Sequence, residues 1–138
     1  MTLVKDNDLG SITISNLIFA QIIFDGMMQP ECKDMVWPAT KRGRQVGIVN
    51  KFTDNEFALY IDVDYDDEGR LVIEFNVIMK FGVSIKKITK ILADYIAREI
   101  KLDCGKNPSI ITINIAGVKS RHKAKRNTKV VYRYESIG

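Results

Sequence analysis

Residues 56–118 read EFALYIDVDYDDEGRLVIEFNVIMKFGVSIKKITKILADYIAREIKLDCGKNPSIITINIAGV, and this stretch decides the fold. It begins with two segments in which apolar and polar residues alternate, a pattern typical of β-strands with one buried face. An acidic turn at residues 66–69 separates the segments, so the pattern predicts an antiparallel hairpin. The predicted apolar face consists of Phe57, Leu59, Ile61, Val63 and Tyr65 on the first strand and Leu71, Ile73, Phe75, Val77, Met79 and Phe81 on the second.

A long amphipathic helix follows the hairpin. Ser84 is placed to cap its first turn, because a serine hydroxyl accepts a hydrogen bond from a free backbone N–H group there. Gly105 ends the helix and Pro108 prevents its return. Residues 110–118 alternate again and predict a closing strand. The apolar helix residues recur at three- and four-residue spacing and are Ile85, Ile88, Ile91, Leu92, Tyr95, Ile96 and Ile100.

The N-terminal part predicts a short strand and an unusually apolar helix. Residues 10–15 alternate as a strand, and Ser15 can cap a helix that runs to about Met28. This helix is apolar around more of its circumference than one sheet face can bury. Two interpretations remain open: residues 29–42 fold over its second side, or it forms a subunit or partner interface. The candidate interface residues are Leu17, Phe24, Met27 and Met28.

The order of the predicted elements indicates the fold class. Residues 29–44 predict an irregular segment because Pro30 and Pro38 interrupt it, and residues 45–52 predict a further strand. The resulting order, β-α-β-β-β-α-β, favours an α+β two-layer sandwich with a mixed, mostly antiparallel sheet and two helices on one face. We expect residues 1–118 to form a single domain and residues 119–138 a basic C-terminal tail that could add an edge strand.

Length and composition favour a folded cytoplasmic protein. The chain has 138 residues, of which 46% are hydrophobic, so it can bury a real core. Residues 1–8 lack the basic and apolar regions of a signal peptide, and no apolar run approaches the ~20 residues that a membrane-spanning helix needs. We therefore expect a cytoplasmic chain without a transmembrane segment.

The sequence holds no motif for catalysis, a cofactor or a metal ion. Cys32 and Cys104 stand apart from any paired motif, and His122 is the single histidine, so no zinc-ligand cluster is present. No phosphate-binding glycine loop and no nucleophile motif occurs either. We expect a protein that is not an enzyme and that needs no cofactor.

The spacing of Asp62, Asp64 and Asp66 invites comparison with a calcium-binding loop. Such a loop needs Gly at its sixth position and Glu at its twelfth, where this chain has Asp67 and Ile73. We therefore interpret these carboxylates as a solvated strand face.

Basic residues are concentrated at the C-terminal end. Residues 119–138 hold seven Lys or Arg and one Glu, whereas residues 1–118 hold 14 basic and 16 acidic residues. A basic run attracts the phosphates of nucleic acid or of an anionic membrane face, and the alternative is a solvated terminal segment. The candidate phosphate contacts are Lys119, Arg121, Lys123, Lys125, Arg126 and Lys129, joined by Lys41, Arg42 and Arg44 in the central part.

Three stretches carry a resemblance to a known family. GSITIS at residues 10–15 leads straight into the apolar helix, IDVDY stands at residues 61–65, and residues 83–100 are followed by INIAGV at residues 113–118. In these stretches the chain resembles the alkaline shock protein family of Gram-positive bacteria, also described as envelope stress response proteins. The family supplies no catalytic residue.

The resemblance implies a small, non-enzymatic cytosolic protein. It implies association with itself, as a homo-oligomer, or with a membrane-anchored envelope protein at the inner face of the membrane. We expect an envelope stress response-like protein that acts through self-association and partner binding. The alternative is a nucleic-acid-binding module that uses the basic C-terminal tail.

Overall fold

The structure, a computed structural model, describes residues 4–7, 10–46, 56–119 and 124–135. Two helices pack on one face of a five-stranded mixed sheet, so the predicted α+β sandwich is confirmed. A 3-10 helix at Glu56–Tyr60 precedes β4. The strands and helices are β1 (Val4–Asn7), β2 (Gly10–Thr13), α1 (Ile14–Met27), β3 (Val36–Ala39), β4 (Asp62–Tyr65), β5 (Leu71–Lys80), α2 (Ile85–Cys104), β6 (Ile110–Lys119) and β7 (Ala124–Arg133).

Strands β5 and β6 form the centre of the five-stranded sheet and run parallel to each other. Strand β7 pairs antiparallel with the other side of β6. The opposite side of β5 is shared, because β4 pairs with its first half and β3 with its second half, both antiparallel. Helix α2 connects β5 to β6, as a parallel pair requires a crossover.

The core lies between the sheet and the two helices. The predicted apolar faces of β5 and β6 are confirmed, because they are buried together with the apolar faces of α1 and α2. Asn76 and Ile78 of β5, predicted on its largely polar face, are buried as well. Ser84 caps α2 as predicted, since its Oγ accepts a hydrogen bond from the Lys87 N–H at 3.2 Å. Gly105 ends the helix in a left-handed conformation, and its N–H donates to the Lys101 carbonyl. The largest fully buried side chains are Phe57, Phe75, Ile23, Met27, Ile73, Ile78, Met79, Leu92, Ile96, Ile100, Ile111 and Ile113.

The predicted hairpin is confirmed from β4 onward. Strands β4 and β5 pair antiparallel, and the turn between them is held by Asp66, whose Oδ1 accepts from the backbone N–H groups of Glu68 and Arg70. These bonds, that of Arg70 first, hold the pKa of Asp66 below its usual range. Asp62 and Asp64 are exposed on β4, in keeping with a solvated strand face.

The first strand of the hairpin is shorter than predicted. The prediction of a strand from Phe57 is wrong, because residues 56–60 form the 3-10 helix, in which the neighbours Phe57 and Ala58 are both buried. The side chain of Asn16 on α1 donates to the carbonyls of Ala58 and Ile61, at 3.4 Å each. The carbonyl groups of Ala58 and Ile61 thus have a hydrogen-bond partner that does not belong to a sheet.

Three further differences concern short segments. Residues 4–7, for which the sequence predicted no element, form β1, which pairs with β2 in a separate two-stranded sheet. The expectation of irregular structure at residues 36–39 is wrong, because β3 carries Pro38 at the edge of the sheet, where strands tolerate proline. Phe81 was placed on the buried face, yet it lies in the turn after β5 and is exposed.

The strand predicted at residues 45–52 lies mostly outside the described residues. In the described part, Gln45 forms a bridge with Ala39, and the Val46 N–H donates to the carbonyl of Pro38. Val46 is buried in the core. Residues 39–46 thus turn back on β3 as a short hairpin.

Strand β7 is tied to the rest of the fold by side chains. The Tyr132 and Thr89 hydroxyls are 2.7 Å apart, and the Tyr134 hydroxyl donates to Asp94 Oδ1 at 3.1 Å. The first contact joins β7 to α2, and the second joins the residue directly after β7 to the same helix. The guanidinium of Arg70 adds a hydrogen bond from Nη1 to the carbonyl of Tyr134 at 3.0 Å. Residues 124–135 therefore pack as part of the sandwich.

Candidate interaction surfaces

Helix α1 is buried along one side only, although it is apolar almost all round. With about 100° between successive residues, its buried residues fall within roughly half of the circumference. Gly26 lies on that side and faces α2: a Cβ atom built there would lie 2.8 Å from Leu92 Cδ1 and 2.9 Å from Tyr95 Cδ1 of α2. Among residues 16–27, the part of α1 whose burial is described, the buried residues are Phe19, Ala20, Ile22, Ile23, Gly26 and Met27.

The opposite side of α1 carries apolar side chains that remain accessible. Ile18 is 45% exposed and Met28, directly after the helix, is 47% exposed, while Leu17 and Phe24 are half-buried. On an ideal helix Leu17, Phe24 and Met28 lie roughly 160° to 180° from Gly26 and face away from α2, whereas Ile18 lies about 80° from Gly26, at the edge of this side. We name Leu17, Ile18, Phe24 and Met28 the α1 stripe.

Of the four predicted interface residues, the structure brings three together in the α1 stripe. Met27 is only 2% exposed and packs in the core, so it presents no surface to a partner. The exposed Ile18 was missed, because it lies about 100° around the helix from Leu17 and does not share the face of the predicted residues. Residues 29–36 follow α1 and contribute Cys32 and Val36 to the core. With this segment in place, Ile18 and Met28 are still about half exposed.

The candidate phosphate contacts of the C-terminal part fall into three groups. Lys119 lies with Nζ 4.5 Å from the centre of the Trp37 ring, a cation–π distance, and it donates to Gln45 Oε1 at 3.0 Å. Lys129 Nζ lies 3.6 Å from Glu74 Oε2. Both cations therefore already have partners. Two candidates, Arg121 and Lys123, lie outside the described residues, and of two more, Lys125 and Arg126, only the backbone within β7 is described.

The basic residues of the central part lie on a tight turn at residues 40–44. The Thr40 N–H donates to the Arg44 carbonyl, and the Arg44 N–H donates to the Thr40 hydroxyl at 3.1 Å. Gly43 is buried with φ at 85°, and a Cβ atom built there would lie 2.7 Å from the carbonyl oxygen of Ala116 on β6. The turn is thus held by its own hydrogen bonds and by close contact with the sheet.

An open cavity of about 420 Å³ lies beside this turn, lined by Thr40, Lys41, Arg42, Arg44 and Tyr60. Arg44 Nη2 lies 2.6 Å from Glu56 Oε1, and this hydrogen bond raises the pKa of Arg44. Lys41 Nζ lies 3.8 Å from Asp62 Oδ2. Within the described ranges Arg42 has no ion-pair partner. We name this feature the cationic cleft.

The structure describes no constellation typical of a metal or thiol site. No group of three metal-binding side chains occurs among the described residues. Burial raises the pKa of the Cys32 thiol, and burial followed by the charge of Asp103 raises that of Cys104, so both are protonated near neutral pH. Neither cysteine is in a disulfide.

The chain matches one family model. A model of a family with a cell envelope-related function covers residues 4–120, which is well over half of the chain and includes β1 to β6. The chain belongs to the alkaline shock protein family. The resemblance read from the sequence is therefore confirmed. Strand β7 lies beyond the residues that the family model matches.

Membership of the alkaline shock protein family defines the broad function. The family has a cell envelope-related function, and it is not a known enzyme family. No curated protein and no solved structure matches the chain. Among the described residues no helix is both long and apolar enough to span a membrane.

Proposed function

We propose that this member of the alkaline shock protein family is a non-enzymatic protein that acts near the cell envelope by associating with further copies of itself. The α1 stripe is the contact surface in this proposal. A membrane-anchored envelope protein, bound by the assembled form, is the proposed partner that holds it at the inner face of the membrane.

The observation that carries the proposal is the partial exposure of an otherwise apolar helix. Met28 exposes nearly half of its surface on the side of α1 that faces away from α2, and Ile18 exposes nearly half of its surface at the edge of that side. Contiguous apolar surface on a folded chain marks interaction sites, because its burial releases roughly 25 cal/mol per Å². A twofold axis beside α1 would pair each α1 stripe with its own copy.

The composition of the α1 stripe also supports a protein partner. Apolar side chains of Leu, Ile, Phe and Met lie there, and the half-buried Gln21 and one charged residue, Asp25, lie between Met28 and Ile18. The cores of protein interfaces are depleted in charge and enriched in Phe and Met. Phosphate-binding surfaces need cations, and the α1 stripe has none. Nucleic acid is therefore not the ligand proposed for this surface.

The experiment is crosslinking in the native cell, followed by capture of the protein and identification of what is recovered. A parallel sample receives nuclease before capture. The proposal predicts recovery of the protein itself together with a membrane-anchored envelope protein, unchanged by nuclease. Loss of the captured material on nuclease treatment would contradict it and would favour a nucleic-acid role for the basic residues of the C-terminal part.

A capture variant makes the experiment specific to α1. Met28→Lys adds a charge to the α1 stripe at the end of the helix, where a cation suits the helix dipole. Leu102→Glu is the control, because it adds a charge at an apolar residue that is 73% exposed on α2 and is not part of the α1 stripe. Met28→Lys should reduce self-crosslinking, and Leu102→Glu should leave it unchanged. Equal self-crosslinking of the two variants would show that the α1 stripe is not the contact surface.

A further inference from the structure

The cationic cleft shares no residue with the α1 stripe, and its size and charge suit a small anionic ligand. Three cationic side chains, Lys41, Arg42 and Arg44, line one open cavity of about 420 Å³ together with the half-buried Tyr60. That volume lies within the range of small-molecule sites, roughly 300 to 1,000 Å³. Cations gathered at one cavity attract anionic groups, and Arg in particular matches the planar spread of phosphate oxygens.

The turn that carries these cations is held in place by hydrogen bonds and by contact with the sheet. Thr40 is buried, and its hydroxyl fixes the backbone of Arg44. Gly43 lies close to the carbonyl group of Ala116 on β6. Ala116 has no paired residue on β5 or on β7, so it forms a bulge in β6. A bulge of this kind re-aims the local backbone. The sheet thus fixes the backbone between Arg42 and Arg44.

Two carboxylates, those of Glu56 and Asp62, already contact cations of the cleft, and the cleft can still bind a further anion. Arg44 is held by Glu56 at 2.6 Å, whereas Lys41 and Asp62 are 3.8 Å apart with most of both side chains exposed. An exposed pair at that distance is weak and screened by salt. Lys41 and Arg42 are therefore the two cations free to turn toward a ligand, while Arg44 stays in place.

We propose that the cationic cleft binds a phosphate group carried by a small ester. Arg42 and Lys41 contact the phosphate oxygens, and the Thr40–Arg44 turn positions them. The cavity is larger than a phosphate ion, so the alcohol part of the ester lies beside the aliphatic stems of the basic residues and the ring of Tyr60. The ester is either free in solution or the headgroup of an anionic phospholipid.

The test has two arms that separate the sources of the phosphate. In the first, glycerol 3-phosphate is titrated into the protein by calorimetry. In the second, the protein is sedimented with vesicles of phosphatidylglycerol, and vesicles of phosphatidylcholine serve as the control. Binding in the first arm alone indicates a soluble ester, and binding to phosphatidylglycerol vesicles alone indicates a lipid headgroup. No binding in either arm would overturn the proposal.

Two variants ask whether the cleft is the site. Arg42→Gln should weaken binding by about tenfold, because it removes a charge-assisted bond to the phosphate. Lys106→Gln is the control, since Lys106 is equally cationic and exposed but lies on the turn after α2. Equal weakening by both variants would show attraction to net charge alone and would overturn the site.

A third variant leaves every charge in place. Gly43→Ala puts a Cβ atom against the Ala116 carbonyl and strains a left-handed residue, so the turn must shift. It should weaken binding with the net charge unchanged. If circular dichroism shows that this variant does not fold, Thr40→Val replaces it, because it removes the hydroxyl that holds Arg44. If either variant folds and binds as tightly as the native protein, the Thr40–Arg44 turn does not position the phosphate contacts, and the proposed site is wrong. None of these residues lies in the α1 stripe, so the outcome is independent of self-association.

Discussion

Gly26 of α1 lies so close to Tyr95 of α2 that a side chain at position 26 would meet the tyrosine ring 2.9 Å away. The same added atom would lie 2.8 Å from Leu92, which is fully buried. Helix α1 can therefore approach α2 only because residue 26 has no side chain. This contact fixes which side of α1 is buried and, as a consequence, which side carries the α1 stripe.

The first prediction concerns this helix crossing. Gly26→Ala should lower the free energy of unfolding by about 1 to 2 kcal/mol, because overpacking of the crossing outweighs the gain of up to about 1 kcal/mol in helix propensity. Urea denaturation followed by circular dichroism measures the change. Gln21→Ala on the accessible side of α1 is the control and should be close to neutral. Stabilisation by Gly26→Ala would show that α1 and α2 do not pack this closely.

The second prediction is a loss of stability in alkali through Tyr134. Burial first, and then the charge and hydrogen bond of Asp94, raise the pKa of Tyr134 well above its ordinary value near 10. The folded state therefore keeps its phenolic proton where the unfolded state loses it. The stabilisation is fully present below about pH 10 and is lost as the pH rises further, toward the folded pKa.

Comparison with Tyr134→Phe isolates this effect from the other tyrosines. At pH 8 the variant should be less stable by about 1 kcal/mol, because it lacks the hydrogen bond to Asp94. At pH 11 the difference in the free energy of unfolding between the two proteins should shrink, because only the native sequence has a phenol to ionise there. A difference that stays constant from pH 8 to pH 11 would show that Tyr134 has an ordinary pKa.

The third prediction concerns Arg70, which joins the β4–β5 turn to the end of β7. Its side chain is 14% exposed, Nη1 donates to the Tyr134 carbonyl, and Nε lies 3.6 Å from the Asp66 carboxylate, an ion-pair distance. Arg70→Gln should cost about 2 kcal/mol in unfolding free energy, since bonds that involve charged groups are worth roughly 1.5 to 3 kcal/mol. Arg133→Gln, on the exposed surface of β7, is the control and should change stability by less than about 0.5 kcal/mol. Similar losses for both variants would count against this role of Arg70.

The long periodic elements were predictable from the sequence because each of them buries one continuous face. Helix α2 shows this most clearly, with a cap at Ser84, an end at Gly105 and an apolar face that the core covers. Strands β5 and β6 were predicted for the same reason. Both strands are ten residues long, and the apolar residues at every second position indicate which side faces the helices.

The short elements depend on contacts that no local pattern contains. The segment from Phe57 to Tyr60 alternates like a strand over too few residues to decide, and a side chain 42 positions away in sequence, that of Asn16, supplies the hydrogen bond to Ala58. Strand β3 contains Pro38, which argues against a strand until its place at the sheet edge is known. The parallel pairing of β5 with β6 likewise follows from tertiary structure.

The candidate surfaces were predicted in part. The apolar character of α1 indicated an interface helix, but only its contact with α2 at Gly26 separates the core residue Met27 from the accessible Ile18 and Met28. Of the cationic cleft, the sequence indicated only the three cations Lys41, Arg42 and Arg44, as additional candidate phosphate contacts. Its cavity could not be predicted, because Tyr60 joins it from a distant part of the sequence.

The fourth prediction tests the central claim, self-association through the α1 stripe, and the measurement is molar mass by light scattering across a range of concentrations. The native protein should have a multiple of the 15.7 kDa chain mass, and the variant Ile18→Glu/Met28→Lys should move toward 15.7 kDa with an unchanged circular dichroism spectrum. Leu102→Glu, the control on α2, should keep the native mass. A native protein of 15.7 kDa at every concentration, or a double variant that keeps a multiple mass, would contradict self-association through α1.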